Sequence, residues 1–185
     1  MKSLRVKLAV GVAVLGVAGV GTAAIAHDRS RFDASLTGYE EIPTLSTQGV
    51  GTFDASINRG KDEIRYTLSY RGPFDAGSNG VVTQAHIHLG ARAVNGNIAA
   101  FLCSNLGNGP AGTPACPAEG TVSGTITPAQ VIGPAAQGIA AGEFAELVRA
   151  LRAGAAYANV HTTTFTAGEI RGQIGADDDD HHGRD

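Results

Sequence analysis

Polar and apolar residues alternate along most of the chain. The alternation marks segments at residues 32–36, 50–57, 64–70, 81–88, 98–103, 121–126, 157–163 and 169–174. A period of two places one face of a β-strand in a core and the other in solvent. Turn residues separate the segments, as in Asn-Arg-Gly-Lys-Asp at 58–62. The pattern therefore predicts an all-β protein, a Greek-key-like antiparallel sandwich or barrel.

One segment departs from this alternation. Its apolar residues follow the i, i+3, i+4, i+7 spacing of an amphipathic helix, at Phe144, Leu147, Val148 and Leu151. Gly154 follows at a position where a helix-ending glycine is expected. The sequence thus predicts one short helix over residues 142–153, in the C-terminal part of the chain.

The first 26 residues have the three zones of a cleavable signal peptide. Lysine and arginine come first, residues 8–20 are apolar and uncharged, and Ala-Ile-Ala at 24–26 supplies the small-x-small cleavage signature. The apolar zone is shorter than the roughly 20 residues of a membrane span, although an uncleaved anchor is the alternative. We therefore predict export to the periplasm, the cell surface or the medium, with no membrane span after cleavage and His27 as the new N-terminus.

Removal of the signal peptide leaves a single domain at residues 27–175, long enough to bury a core. The remaining residues, 176–185, contain four consecutive aspartates followed by two histidines. A charge run of this kind is expected to be disordered and solvated. Its carboxylates and imidazoles could also bind a metal ion loosely.

Composition and charge restrict the partners. The 26 glycines suit the many tight turns of a small β protein. The formal net charge is −3, and three of the basic residues lie in the predicted signal peptide. Because no basic stripe is interleaved with aromatic side chains, nucleic acid is not an expected partner. Nothing in the sequence identifies a protein partner.

Two cysteines, Cys103 and Cys116, flank a loop rich in glycine, proline and asparagine. In an exported chain such a pair most simply forms a disulfide. Closing so short a loop stabilises a fold by roughly 3 kcal/mol in the chain-entropy model. A redox or thiolate-ligand pair is the alternative, but the spacing is not that of a CxxC motif.

The histidines are the main candidates for chemistry. His86 and His88 are two residues apart on a predicted strand, so both rings face the same side. His161 lies on another predicted strand, and three imidazoles converge if the two strands are neighbours. Three imidazoles suit copper, which leads the Irving–Williams order, with zinc as the alternative. In the opposing interpretation, His86 and His161 only hydrogen-bond across the sheet.

His27 is a further candidate ligand. As an N-terminal residue it would offer both its amine and its ring to a copper ion. A flexible chain end is the ordinary alternative.

Several motifs occur together in a recognisable order. They are Leu-Thr-Gly-Tyr-Glu-Glu-Ile-Pro at 36–43, Ala-His-Ile-His-Leu-Gly at 85–90, Asn-Gly at 95–96, Tyr-Ala-Asn-Val-His-Thr at 157–162 and Gly-Glu-Ile-Arg-Gly-Gln at 168–173. The set closely resembles the CHRD domain, named after chordin, over residues 32–174. The resemblance implies a domain of the type found in bacterial exported proteins and in chordin. At 165–167, Phe-Thr-Ala replaces the Asn-Pro turn of most members.

The histidines also show a looser similarity to copper-zinc superoxide dismutases. Those enzymes carry an HxH pair on a strand of a β-sandwich, a later histidine and an arginine near the C-terminus. The similarity implies copper held by His86, His88 and His161, with Arg171 steering a small anion such as superoxide towards it. Because the chain lacks a bridging histidine and a second metal cluster, the implied centre is copper-only.

Two function classes therefore compete. The first is an exported copper-binding domain with superoxide dismutase-like activity. The second is a non-enzymatic extracellular or cell-surface interaction module in which the histidines are structural. In the second, Arg171 forms an ion pair with Glu169 or Glu40.

Overall fold

The computed structural model describes residues 30–74 and 81–176. The predicted signal peptide, His27 and the acidic tail from residue 177 onwards lie outside the described residues, so those interpretations stay predictions. Within the described ranges, no helix has the length and apolar character needed to cross a membrane.

Nine strands, one α-helix and three short 3-10 helices make up the described residues. The strands are β1 (Arg31–Thr37), β2 (Val50–Ile57), β3 (Ile64–Arg71), β4 (Val82–Leu89), β5 (Ile98–Ser104), β6 (Gly120–Ile126), β7 (Ala156–Thr162), β8 (Ile170–Gln173) and β9 (Gly175–Ala176). The helix α1 is Phe144–Arg152, and the 3-10 helices are Gly38–Glu40, Pro128–Gln130 and Ala135–Gln137.

The predicted periodicities are confirmed. Every second residue of β2 from Phe53 to Ile57 is buried, and the alternate positions are exposed. Helix α1 buries the four apolar residues whose spacing predicted it, and it lies within the predicted residues 142–153. Hydrophobic burial is the cause in both cases, because only one face of each element reaches the core.

The strands form one sheet in the order β5-β4-β7-β8-β1-β2-β3-β6, with β9 also paired to β1. Every ladder is antiparallel. The sheet curls into a nearly closed barrel, so that β5 comes to face β6. Read across this seam, β4 to β7 have the spatial order β7-β4-β5-β6, which is a Greek key. The predicted fold class is therefore confirmed.

The seam between β5 and β6 is held by side chains instead of a hydrogen-bonded ladder. The Tyr66 hydroxyl on β3 donates to the Leu102 carbonyl on β5 at 2.5 Å. The predicted disulfide between Cys103 and Cys116 is confirmed, and it ties β5 to the segment that precedes β6. These two links close the wall of the barrel where backbone pairing ends.

Both faces of the strands β4 and β7 are buried, as are those of their outer neighbours β5 and β8. All residues of β7 are buried, as are the four central residues of β4 from Ala85 to His88. One face, with Ile87, Ala158 and Val160, belongs to the hydrophobic core. The other face is covered by the segments that follow β1, β4 and β7, and it carries the polar residues described next.

Candidate metal centre

The three predicted ligands lie on the outer, covered face of two neighbouring strands. In the β4–β7 ladder, His86 is opposite Asn159, His88 is opposite Tyr157, and His161 is opposite Gln84. His86 and His161 are therefore diagonal neighbours, within reach of long side chains in an antiparallel pair. The condition set by the sequence, that the two strands pair, is met.

The three imidazoles converge. One ring nitrogen from each of His86, His88 and His161 lies within 4.8 Å of the others. The ring centroid of His86 is 4.8 Å from that of His161 and 5.4 Å from that of His88. Exposed fractions of 0%, 8% and 5%, in sequence order, place the cluster away from bulk water.

Hydrogen bonds to backbone carbonyls fix the orientation of two of the rings. His88 Nδ1 lies 2.9 Å from the Gly96 carbonyl, and His161 Nδ1 lies 3.0 Å from the Thr166 carbonyl. Since a carbonyl only accepts, both Nδ1 atoms carry the proton and both Nε2 atoms keep a lone pair. His86 Nδ1 lies 3.1 Å from His161 Nε2 and donates to that lone pair.

Two buried ring nitrogens have no hydrogen-bond partner. They are His86 Nε2 and His88 Nε2. A buried polar atom without a partner costs free energy, so such atoms are rare unless something binds them. The donor chemistry of the cluster, three imidazole nitrogens, fits a borderline transition-metal ion such as copper or zinc.

Burial keeps the rings neutral. It lowers the pKa of His86 to about 2, assisted by the proximity of His161 and His88. Burial also lowers the pKa of His88 to about 4 and lowers that of His161, although in each case a backbone hydrogen bond opposes the change. At neutral pH no proton therefore has to leave before a metal ion binds.

An aromatic ring and a guanidinium are stacked behind His88. The Tyr157 ring is nearly parallel to the His88 ring, with 4.9 Å between centroids and 8° between planes. The Arg171 guanidinium carbon lies 3.4 Å from the Tyr157 ring centroid. Because β7 pairs with β8, the ladder itself brings Arg171 to this face.

Arg171 also holds the segment between β4 and β5. Its guanidinium donates to the Val94 carbonyl at 2.7 Å, to Asn95 Oδ1 at 3.1 Å and to the Ala91 carbonyl at 3.4 Å. Glu40, one of the two ion-pair partners expected for Arg171, instead binds Arg92 at 2.6 Å. Arg171 is 1% exposed, and its role in anion steering stays a prediction.

Comparison with known proteins identifies the family. A family model for the CHRD domain matches residues 32–174 of the 185-residue chain. The chain belongs to the CHRD domain family. No curated protein and no solved structure matches it. Three of the motifs that carried the resemblance in the sequence build the outer face of β4, β7 and β8 in this CHRD domain, and the motifs at 36–43 and 95–96 lie in the segments that cover this face.

Sequence reasoning missed three supporting residues of this CHRD domain. Tyr157 and Asn159 have the same parity as His161 along a strand, and that parity alone places them on the same face. Gly96 was noted only as part of a motif, although its carbonyl orients His88 and its N–H donates to the Tyr157 hydroxyl at 3.1 Å. A glycine in a loop gives no sequence signal of such a contact.

A buried carboxyl lies beyond Asn159. Asn159 Nδ2 donates to Glu41 Oε1 at 2.5 Å and to the Ile170 carbonyl at 3.2 Å. Burial raises the pKa of Glu41 to about 7, and Glu169 adds to this effect. Asn159, Arg171 and the backbone at Ile42 oppose it. Glu41 therefore ionises near neutral pH in the folded CHRD domain.

Glu41→Gln should flatten the dependence of stability on pH. The unfolded chain loses the Glu41 proton near pH 4.5 and the folded chain near 7. Wild-type stability therefore falls as pH rises through this window, by up to about 3 kcal/mol from this group. Guanidinium unfolding at pH 5 and pH 8 should show the variant gaining on wild type at the higher pH.

The buried histidines titrate in both proteins and cancel in that difference. Glu40→Gln, which alters the neighbouring solvent-accessible carboxylate, is the matched control. Parallel pH profiles for wild type and Glu41→Gln would show that burial does not penalise the Glu41 carboxylate.

Proposed function

We propose that this CHRD domain binds one copper ion through His86, His88 and His161, with zinc as the alternative metal. The observation that carries the proposal is the convergence of three neutral imidazoles, two of which have a buried nitrogen without a partner. The bound ion supplies a Lewis-acidic and, for copper, a redox-active centre. The protein supplies the orientation of the rings through the Gly96 and Thr166 carbonyls.

The spacing of the rings supports this proposal. His86 Nδ1 and His161 Nε2 are 3.1 Å apart. Two nitrogens that share an ion at about 2.0–2.1 Å are separated by about 2.9–3.4 Å for ligand angles between a right angle and a tetrahedral one. If the His86 proton moves from Nδ1 to Nε2, the ring-to-ring hydrogen bond can thus be exchanged for a shared ion with little movement of either strand, and His88 would bind through its unpartnered Nε2.

We propose that the domain works outside the cytoplasm. The predicted signal peptide at residues 1–26 supports this location, and the Cys103–Cys116 disulfide fits an oxidising compartment. The similarity to copper-zinc superoxide dismutases extends the proposal to superoxide as substrate. A superoxide-consumption assay on copper-loaded protein, with the rate expressed per bound copper ion, tests catalysis separately from binding.

Metal analysis decides between this proposal and a structural role for the histidines. Untagged protein that is loaded with copper or zinc and then desalted should retain one ion per chain. Elemental mass spectrometry measures the metal content. His86→Gln and His161→Gln should each lose that ion, because two imidazoles are a much weaker set than three. Circular dichroism checks that both variants are folded.

The matched control removes two imidazoles elsewhere. The double variant His181→Ala, His182→Ala in the C-terminal tail should keep the ion. If the cluster variants keep the ion and the tail variant loses it, the ion belongs to the tail and the proposal is wrong. A wild-type chain that retains no ion at all would support the interaction module with structural histidines.

A further inference from the structure

Arg171 is a buried cation whose partners are all uncharged. It contacts two backbone carbonyls, one amide oxygen and an aromatic ring. Among the described residues, no carboxylate lies within salt-bridge distance of its guanidinium. Buried charges in proteins are usually neutralised by an opposite charge, because their desolvation is costly. The positive charge of Arg171 is therefore balanced by dipoles and, without direct contact, by the Glu41 carboxyl, whose pKa it lowers.

The charged guanidinium of Arg171 lies close to the histidine cluster. The stack of Arg171, Tyr157 and His88 separates the guanidinium from the imidazole by two steps of 3.4 and 4.9 Å. All three residues are at most 8% exposed, so little water lies near to screen the charge. Interactions between charges at such separations amount to a tenfold or larger effect on an equilibrium when the effective dielectric constant is about 20.

The cluster itself offers no negative charge to an incoming ion. All of its donors are imidazole nitrogens. Two buried carboxyls lie close by, but Glu41 accepts from Asn159 and Glu169 accepts from Thr162, and neither hydrogen-bonds to an imidazole of the cluster. An ion at the cluster therefore keeps its full charge close to the guanidinium, and a second positive charge on that ion raises the cost.

We propose that Arg171 makes the three-histidine centre selective for a monovalent over a divalent ion, so that it holds Cu(I) in preference to Cu(II) and Zn(II). The inference rests on the proposed metal site and specifies the charge state that the site takes. It also gives Arg171 a role that needs no access to solvent. Arg171 acts here as a positioning and electrostatic residue, without touching the ion.

Asn95→Asp tests the role of the charge with little change in shape. Asn95 Oδ1 already accepts a hydrogen bond from Arg171, and an aspartate keeps that bond while adding a negative charge. Asn95 is exposed, so the variant is expected to fold. We expect the ratio of the Zn(II) and Cu(I) dissociation constants to fall about tenfold relative to wild type.

The two constants are measured by competition. Cu(I), kept reduced by ascorbate, is competed with a chromogenic Cu(I) chelator, and Zn(II) is competed with a zinc indicator. A tenfold fall in the ratio of the Cu(II) and Cu(I) dissociation constants corresponds to a decrease of 59 mV in the midpoint potential of the copper-loaded protein. Voltammetry of wild type and Asn95→Asp gives this second readout.

Two further variants separate charge from structure. Arg92→Gln removes an exposed, ion-paired charge from the same loop and should leave the ratio unchanged. Arg171→Lys keeps the charge and loses the planar stack, so both metals should weaken together. If Asn95→Asp leaves the ratio unchanged, or shifts it no more than Arg92→Gln does, the selectivity proposal is wrong while the metal site stands. If instead His161→Gln retains its metal, the proposed metal site is wrong, and this result is distinct from an unchanged ratio.

Discussion

Gly96→Ala should weaken metal binding by about 10–100-fold or more and strongly destabilise the domain. A Cβ atom at this position would overlap the Leu89 carbonyl oxygen and lie 2.5 Å from the carbonyl carbon. These are backbone atoms at the end of β4, and Leu89 N–H donates to the Asn97 carbonyl at 3.0 Å, so neither side can yield. We expect a loss of about 3 kcal/mol or more in the free energy of unfolding.

The substitution should lower the metal affinity because it disturbs two contacts of Gly96. The Gly96 carbonyl orients His88, and the Gly96 N–H binds Tyr157. Loss of an outer partner of a ligand commonly lowers metal affinity by 10–100-fold, and here two are displaced at once. Guanidinium unfolding and competition titration measure the two effects.

Gly175→Ala is the matched control, because nothing lies within 4 Å of a Cβ built at that position. It should stay within about 0.5 kcal/mol of wild type. Wild-type stability and affinity in Gly96→Ala would mean that the loop is not packed against Leu89 as described.

Reduction of the disulfide should lower the free energy of unfolding by about 3 kcal/mol. The Cys103–Cys116 bond closes a loop with a sequence separation of 13, and the chain-entropy model gives this magnitude for a loop of that size. The effect arises mainly in the unfolded chain, which gains freedom when the bond is cut. Guanidinium unfolding with and without reductant gives the difference.

The folded loop should survive that reduction. Asn105 donates to the carbonyls of Val82 and Cys116, and the Cys116 N–H donates back to its side chain at 3.0 Å. The near-ultraviolet spectrum of the native state should therefore change little. The double variant Cys103→Ala, Cys116→Ala should be insensitive to reductant, and an equal response in both proteins would assign the effect to something other than this bond.

The fold was predictable because the strands β1, β2, β3 and β6 each bury one face. Alternating residues such as Phe53, Ala55 and Ile57 report that geometry directly in the sequence. The order of the strands in the sheet was harder to predict. Nothing in the local pattern indicates that β7 lies between β4 and β8, because that order depends on how the whole sheet closes.

The site was predictable as far as ligand chemistry and strand parity reach. His86, His88 and His161 could be named because histidines, two of them in an HxH pair, are unusual on predicted strands whose other residues are mostly apolar. The hydrogen bond between Glu41 and Asn159 could not be foreseen. It forms because the segment that carries Glu41, more than a hundred residues away in sequence, folds over Asn159. The partners of Arg171 were hidden for the same reason, as they lie in the β4–β5 connection.

The contact between His86 and His161 joins residues 75 positions apart. Long-range contacts of this kind form slowly, because a large loop of chain must be closed before they contribute any stability. Here β7 is also the strand that connects the β4–β5 hairpin to the rest of the sheet. The three ligands therefore meet only after the last third of the chain has been synthesised and the barrel has assembled, so occupancy of the centre would report completed folding.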